Sequence, residues 1–333
     1  MRKLASIQRI KNVVPIEGAD AIEKATVLGW QVVIRKNEYQ VGDLCVYVEI
    51  DSVLPDKPEF EFIRAKSNRI KTIRFRGQIS QGICFPLSIL PSDLEVVEDM
   101  DVSEILEIIK FEPPIPANLA GDVKGPFPTF IPKTDETRVQ VLEDLLIKHE
   151  GTICYITEKL DGSSVTYYWR DNEFGVCSRN LELSYNDTNS MWKFAAENNL
   201  PEKLKQLNRN IALQGEIIGE GIQKNKYKQR GQTIYFFNVF DIDAYRYLSL
   251  NETKNLLSEL NLKMVPILDE NYALENSVQA IIEKSQLKSV LAKDAIAEGI
   301  VIRPLEDKFD RELLYGRISF KAINPNFLIK YDE

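Results

Sequence analysis

Glu158-Lys159-Leu160-Asp161-Gly162-Ser163-Ser164 joins two strand-like runs, Thr152 to Thr157 before it and Val165 to Trp169 after it. A lysine closes the first run, with an acid two residues later and a glycine three residues later. Glycine lets the backbone turn sharply and come close to a ligand. Lysine is a nucleophile once its amine has lost its proton. Lys-x-Asp-Gly by itself says little, because strand–turn–strand connections often carry Asp-Gly for conformational reasons. The segments downstream change its weight.

Each of those segments sets a polar residue in or at the end of a strand-like stretch. Val176-Cys177-Ser178-Arg179-Asn180 brings an arginine to a strand end. Leu213-Gln214-Gly215-Glu216-Ile217-Ile218-Gly219 carries an acid among apolar residues and glycines. Tyr235-Phe236-Phe237-Asn238-Val239-Phe240-Asp241 is aromatic and ends in an acid. Glu298-Gly299-Ile300-Val301-Ile302-Arg303-Pro304 and Ile318-Ser319-Phe320-Lys321 complete the series. Singly, each has a plain structural explanation: a bulge, a core strand, a solvated lysine. In this order they describe strands facing one cleft. The patterning predicts strands at 152–158, 163–170, 174–178, 211–218, 233–241, 299–303 and 317–323, and helices at 188–198, 201–208, 251–260 and 277–284. Strands and helices are not strictly interleaved, so an α+β domain is expected rather than a doubly wound sheet.

The chain has 333 residues, enough for two domains that each bury a core. Its 44% hydrophobic and 28% charged residues are those of an ordinary globular protein. No apolar run is long enough to span a bilayer, and Met1-Arg2-Lys3-Leu4-Ala5 lacks the apolar stretch of a secretory signal. The four cysteines, Cys45, Cys84, Cys154 and Cys177, are widely spaced. That argues against a zinc site or a disulfide framework and for a reducing, cytoplasmic compartment. His149 is the only histidine, which argues against a Ser-His-Asp triad and a multi-histidine metal site. Oxygen ligands and lysine chemistry remain. The net charge of −8 does not suggest a nucleic-acid binder, but phosphate contacts depend on local patches. Arg64, Lys66, Arg69, Lys71, Arg74 and Arg76 fall within thirteen residues, with no acid among them.

Residues 1–111 read as mostly β, with strands at Leu4 to Ile10, Thr26 to Arg35 and Leu44 to Ile50. Lys71 to Arg76 alternates and predicts a half-buried strand, Ile73 and Phe75 inward and Thr72, Arg74 and Arg76 outward. Short strands with such turns suggest a small barrel of the oligonucleotide-binding (OB) type. A solvated edge that discourages aggregation is the competing account of the basic run. Residues 112–134 hold Pro113, Pro114, Pro116, Pro126, Pro128 and Pro132 with Gly121 and Gly125, and read as the linker between domains. A helix over Asp135 to His149, with Val139, Leu142, Leu145 and Leu146 on one face, opens the second domain at 135–333.

Taken together, the segments from Lys159 to Lys321 resemble the nucleotide-binding motifs of the covalent nucleotidyltransferase superfamily: ATP-dependent DNA and RNA ligases and messenger-RNA capping enzymes. Gly215-Glu216-Ile217-Ile218-Gly219-Glu220-Gly221-Ile222-Gln223-Lys224-Asn225 looks like the RNA-ligase form of the acidic motif. The β-rich, basic region ahead of it is similar to the OB-like domain of the Naegleria-type RNA ligases. The resemblance implies an α+β nucleotidyltransferase domain preceded by a β-rich OB-like barrel. It implies three steps: Lys159 takes AMP from ATP and releases pyrophosphate, AMP passes to an RNA 5′-phosphate, and a 3′-hydroxyl displaces it. It implies Lys159, Lys321 and Arg179 as catalytic residues. Glu158, Lys159, Arg179, Glu216, Phe240, Glu298, Arg303 and Lys321 would bind the nucleotide. Asp161, Glu216 and Glu298 would hold Mg²⁺ or Mn²⁺, directly or through water. Phe240 is expected to stack on adenine, and Glu158 to accept the adenine amino hydrogens. Lys321 is expected to favour a neutral Lys159 amine through like-charge repulsion.

Departures qualify the match. Relatives end with two lysines separated by one residue. The register set by Arg317 and Asn324 aligns Lys321 with the first and Ile323 with the second; an alternative register puts Ser319 at the first, and either way only Lys321 survives. Ser164 stands where some RNA ligases carry asparagine, and Arg303 where relatives often carry lysine. The chain ends twelve residues after Lys321, leaving no room for the C-terminal barrel of DNA ligases and capping enzymes. An RNA ligase joining 3′-hydroxyl and 5′-phosphate ends is therefore expected, acting as a monomer without a membrane. A DNA-strand ligase and a non-catalytic RNA-binding protein are the alternatives. The N-terminal barrel is expected to help place the triphosphate or its metal.

Overall fold

The computed structural model describes residues 2–65, 67–112, 122–311, 313 and 316–331. Lys66 of the basic run, and Pro113, Pro114, Pro116 and Gly121 of the expected linker, lie outside the described residues.

Short alternating segments roll the N-terminal region into a nearly closed barrel. Its strands are β1 (Ala5–Pro15), β2 (Ile22–Val27), β3 (Trp30–Arg35) and β4 (Leu44–Val48), then a hairpin of β5 (Thr72–Phe75) and β6 (Gln78–Gln81), and β7 (Ile83–Phe85). They run β3-β2-β1-β4-β7 in the five-stranded sheet. Ser80 Oγ accepts the Val33 N–H at 2.9 Å and ties β6 to the β3 edge. Two expectations are corrected. The single strand at 26–35 is broken, because Leu28 takes a left-handed φ of 52° and turns β2 into β3. Ile73 and Phe75 are not inward: they are 45% and 41% exposed. Strand β5 pairs with β6 alone; the hairpin packs on β3 through Ser80, and Ile73 and Phe75 stay at the surface.

The second domain is built on two sheets. One holds β8 (Val123–Pro126), β10 (Ser163–Arg170), β11 (Glu173–Cys177), β12 (Leu181–Leu183), β13 (Ile211–Gly219) and β14 (Gln232–Asp241), in the order β8-β12-β11-β10-β13-β14. The other holds β9 (Ile153–Lys159), β15 (Ile267–Ala273), β16 (Gly299–Pro304) and β17 (Phe320–Ile323), in the order β17-β16-β9-β15. Lys159 is the last residue of β9 and Ser163 the first of β10. The turn between them is thus where the chain leaves one sheet and enters the other. Helices Ser190–Glu197 and Leu250–Glu259 begin where side chains satisfy their exposed N–H groups. Asn189 accepts from Met191 and Trp192, and Ser249 forms a capping box with Glu252.

The expected helix at 135–149 shrinks to α1 (Glu143–Lys148). Val139, Leu142, Leu145 and Leu146 are buried as that pattern requires. Ahead of them, Thr137 and Arg138 pair in parallel with Phe320 and Lys321 of β17 instead of winding. Within the stretch read as linker, β8 is an edge strand paired with β12. The two regions share one core. Ile323, Phe327 and Leu328, the last two from α2 (Pro325–Tyr331), pack with Ile7, Trp30, Val46 and Phe85 of the barrel.

Candidate active site

A cavity of about 970 Å³ opens where the two sheets diverge, and residues of the barrel close one side. Lys159 reaches it from the end of β9, and its Nζ donates to Glu298 Oε2 at 2.7 Å. The sheet makes this pairing: Lys159 lies opposite Gly299 of β16, and Val301 of β16 lies opposite Lys321 of β17. Glu216 enters from β13, opposite Ser164 of β10. Gly162 permits that approach, since a Cβ there would sit 2.3 Å from Ile217 O and 3.0 Å from Glu216 Cγ. The glycine of Lys-x-Asp-Gly is therefore needed for contact between strands, not for a positive φ.

Charge is unevenly held in the cavity. Burial pushes the Glu216 carboxyl up to about 8; Lys159 opposes this, and the neighbouring carboxylates of Glu298 and Asp161 add to it. Burial also pulls the Lys159 ammonium down, but Glu298 and Glu216 outweigh it and its pKa ends above the ordinary lysine value. Lys321 goes the other way, to about 7, through burial and the nearby charges of Lys159 and Arg138. Lys159 and Lys321 repel each other, so Lys321 acts on Lys159 in the expected direction, but the carboxylates beside Lys159 outweigh it.

The remaining predicted residues divide. Glu158 is buried, and its Oε2 accepts the Val290 N–H at 2.9 Å, while its Oε1 is buried with no partner. Arg303 is buried on the cavity wall and donates to Glu136 Oε1 at 3.0 Å; Ser319 Oγ donates to the same oxygen at 2.8 Å. Arg179 Nη2 bonds Asp135 Oδ1 at 2.5 Å at the cavity edge. Asp161 lines the cavity and is paired at 2.5 Å with Lys226 Nζ, a cation whose side chain is nearly buried over the rings of Phe327 and Tyr331. Among the described residues, no three acids, histidines or cysteines gather closely enough to cage a metal ion directly. Asp161, Glu216 and Glu298 all face the cavity without meeting at one point.

Phe240 is not at the cavity. It is buried with Phe127, Ile131, Tyr168 and Ala212, and the rings of Tyr245 and Tyr247 lie edge-on to it. Phe237 lines the cavity instead. A β-bulge explains the exchange: Gln214 pairs with Asn238 and Gly215 with Phe236, so Phe237 is the extra residue and is turned out of step.

Comparison with known proteins agrees with this geometry. A family model described as RNA ligase matches residues 152–323, and one described as an OB-fold domain matches residues 4–87. The chain belongs to the RNA ligase family. Among solved structures, the Naegleria gruberi RNA ligase with PPi is 41% identical, covers 100% of this chain and 99% of its own, and superposes with a TM-score of 0.90. An apo variant of that ligase is 41% identical, covers 99% and 98%, and gives 0.91; a variant with ATP and Mn is 41% identical, covers 98% of each, and gives 0.90. A comparison with curated proteins finds no match.

Sequence reasoning missed three groups at the site of this RNA ligase. Arg138 lies largely buried beside Lys321, with Nε and Nη1 unpartnered and Nη2 donating to Asp51 Oδ2 at 3.2 Å. Only the parallel pairing of Arg138 with Lys321 brings it there, and no spacing announces that. Lys226 is foreshadowed by the lysine-rich run after the acidic motif. Arg2, Asp51 and Arg69 reach the cavity from the barrel. Arg69 donates to Asp51 at 2.7 Å and stacks over Phe111 at 4.0 Å, so part of the basic run faces inward. All four cysteines are free and buried, and among the described residues no helix is long and apolar enough to cross a membrane.

Proposed function

We propose that this RNA ligase seals 3′-hydroxyl and 5′-phosphate RNA ends through an AMP held on Lys159, acting as a monomer in the cytoplasm. The observation that carries the reading is one nucleotide-sized cavity holding the Lys159 amine among carboxylates, with the buried, unpartnered Glu158 Oε1 also on its wall. A buried acceptor without a donor is costly unless a ligand supplies one. The adenine amino group is such a donor, and Phe237 offers a ring for the base in place of Phe240. Arg138, with two unpartnered N–H-bearing atoms, and Arg69 suit the triphosphate.

Lys159 must lose its proton before it attacks the α-phosphorus, and pyrophosphate then leaves. A divalent cation would supply positive charge that lowers the amine pKa and stabilises charge building on the phosphate. Asp161, Glu216 and Glu298 suit a hydrated ion, because Mg²⁺ keeps most of its waters and carboxylates too far apart to share a bare ion can hold it through them. Lys321 stands where it can donate to the phosphate oxygens in the transition state. Arg179 suits the ribose or the incoming 5′-phosphate. The barrel contributes Arg2, Asp51 and Arg69, which supports residues 1–111 as a domain that assists the catalytic domain at 135–333.

Incubation with ATP and Mg²⁺ should add the mass of AMP to the protein, and Lys159→Ala should abolish the adduct. Sealing of a nicked duplex with an RNA 3′ side but not a DNA 3′ side separates this activity from a DNA-strand ligase. A wild-type protein stripped of bound nucleotide that forms no adduct would leave the RNA-binding reading.

A further inference from the structure

A second concavity, of about 500 Å³, lies behind helix α2. The OB hairpin gives it Arg74 from β5, and the catalytic domain gives it Lys288, Lys330, Gln286 and Asn326. Among the described residues that line it, none is acidic, in a chain of net charge −8. We propose that this groove binds the phosphodiester backbone of the RNA being sealed, an inference that rests on the ligase reading above.

Three observations carry it. First, the chemistry is that of phosphate recognition: one guanidinium, two ammonium groups and side-chain amides with no competing carboxylate. Second, the floor is prearranged. Arg74 Nη2 donates to Asn326 Oδ1 at 3.0 Å, Asn326 Nδ2 donates to Gln286 Oε1 at 2.9 Å, and the Asn326 N–H is held by Asn324 Oδ1 at 3.0 Å. This chain of bonds crosses from one domain to the other, so the groove exists only when the hairpin is docked. Third, the groove adjoins the nucleotide cavity. Leu328 and Tyr331 of α2 line the cavity, while Ile329 and Lys330 line the groove. Lys288 stands two residues from Val290, whose N–H is held by Glu158 Oε2. A strand bound along Arg74, Lys288 and Lys330 therefore lies on the far face of α2, one helix away from the nucleotide cavity. Lys288 and Lys330 are not buried and make no contribution to the core.

The test uses the full chain and a fluorescein-labelled nicked RNA duplex bearing a 5′-phosphate at the nick. Lys288→Glu with Lys330→Glu should weaken binding at least tenfold near 0.1 M salt. The slope of log affinity against log salt should become shallower by about 1–2, close to one for each phosphate that is no longer neutralised. AMP-adduct formation on Lys159 should keep its wild-type rate, because neither lysine faces the nucleotide cavity. Lys288→Ala with Lys330→Ala should move the affinity in the same direction by less, which guards against an effect of the introduced acids. Unchanged affinity and slope in both double variants would overturn the proposal. So would an equal loss of adduct formation, which would put the damage in the nucleotide cavity. If the wild-type protein neither binds nor seals the duplex, the ligase reading fails and takes this one with it.

Discussion

Lys159 Nζ rests 2.7 Å from Glu298 Oε2, and the two residues are 139 apart in the chain. The β9–β16 ladder creates the contact by setting Lys159 opposite Gly299. Glu298 thereby favours the protonated form of the nucleophile, which cannot attack. Replacing Glu298 by Gln removes the largest upward influence on Lys159 and leaves burial, which pulls it down. Loss of that charged hydrogen bond should therefore lower the Lys159 midpoint. Titration of isotope-labelled lysine by NMR without metal reads this directly. A midpoint that stays where it is in wild type would mean that Glu298 does not set the charge of Lys159.

Phe237 and Phe240 should separate binding from stability. Stacking of a base on an aromatic ring is worth about 1–3 kcal/mol, so Phe237→Ala should raise the ATP requirement of adduct formation about 5- to 150-fold with little change in Tm. Phe240→Ala removes a ring buried among Tyr168, Ala212 and Tyr247 and should cost about 3–5 kcal/mol of stability. Its ATP requirement should stay near wild type under conditions where it remains folded. The reverse pattern would restore Phe240 as the stacking residue.

That pair shows where the sequence was readable and where it was not. Most strands of the catalytic domain followed from local patterning, but β8, β12 and β15 did not; Lys159 stood out because it closes a strand. The family resemblance, not the pattern, puts Phe240 at adenine, and the bulge at Phe237 is invisible in the spacing. Arg138 was hidden for a different reason. Val139, Leu142, Leu145 and Leu146 have helical spacing, yet pairing with β17 extends the chain just before them. Ile73 and Phe75 alternate as a buried face would, but the hairpin docks through Thr72, Arg74 and Ser80 and leaves both at the surface. In each case the missing information was the identity of the neighbouring strand, which a linear pattern does not contain.

Asp51 joins the barrel to the catalytic domain, accepting from Arg69 at 2.7 Å and from Arg138 at 3.2 Å. Burial raises the Asp51 pKa, but Arg138 and Arg69 outweigh it and hold its carboxyl below the ordinary value. Asp51→Ala leaves the buried Arg138 without its counter-charge. Breaking such a pair costs about 3–5 kcal/mol, and partial exposure of Asp51 brings the expectation to about 2 kcal/mol. The denaturant midpoint should fall accordingly, and adduct formation should slow because Arg138 is no longer anchored at the cavity. This variant is a sharper probe of the barrel than its removal, which would expose Phe327 and Leu328 from the shared core. Wild-type stability together with wild-type adduct formation would show that the interdomain ion pair has no part in either.

Lys226 occupies Asp161 in the way an incoming cation would. The two side chains, 2.5 Å apart, are 4% and 7% exposed, so neither charge is well solvated. Lys226→Met should destabilise the fold, because it removes the nearly buried cation that faces Asp161. The same change removes a competing positive charge, so Mn²⁺ should bind more tightly. Recovery of even 1.4 kcal/mol corresponds to about tenfold in affinity. Electron paramagnetic resonance of free Mn²⁺ measures that affinity without relying on turnover, and added Mn²⁺ should restore part of the lost stability by mass action. The two effects have opposite signs for one reason, the charge left on Asp161. Weaker Mn²⁺ binding in Lys226→Met would therefore show that Lys226 shapes the cation site instead of competing for it.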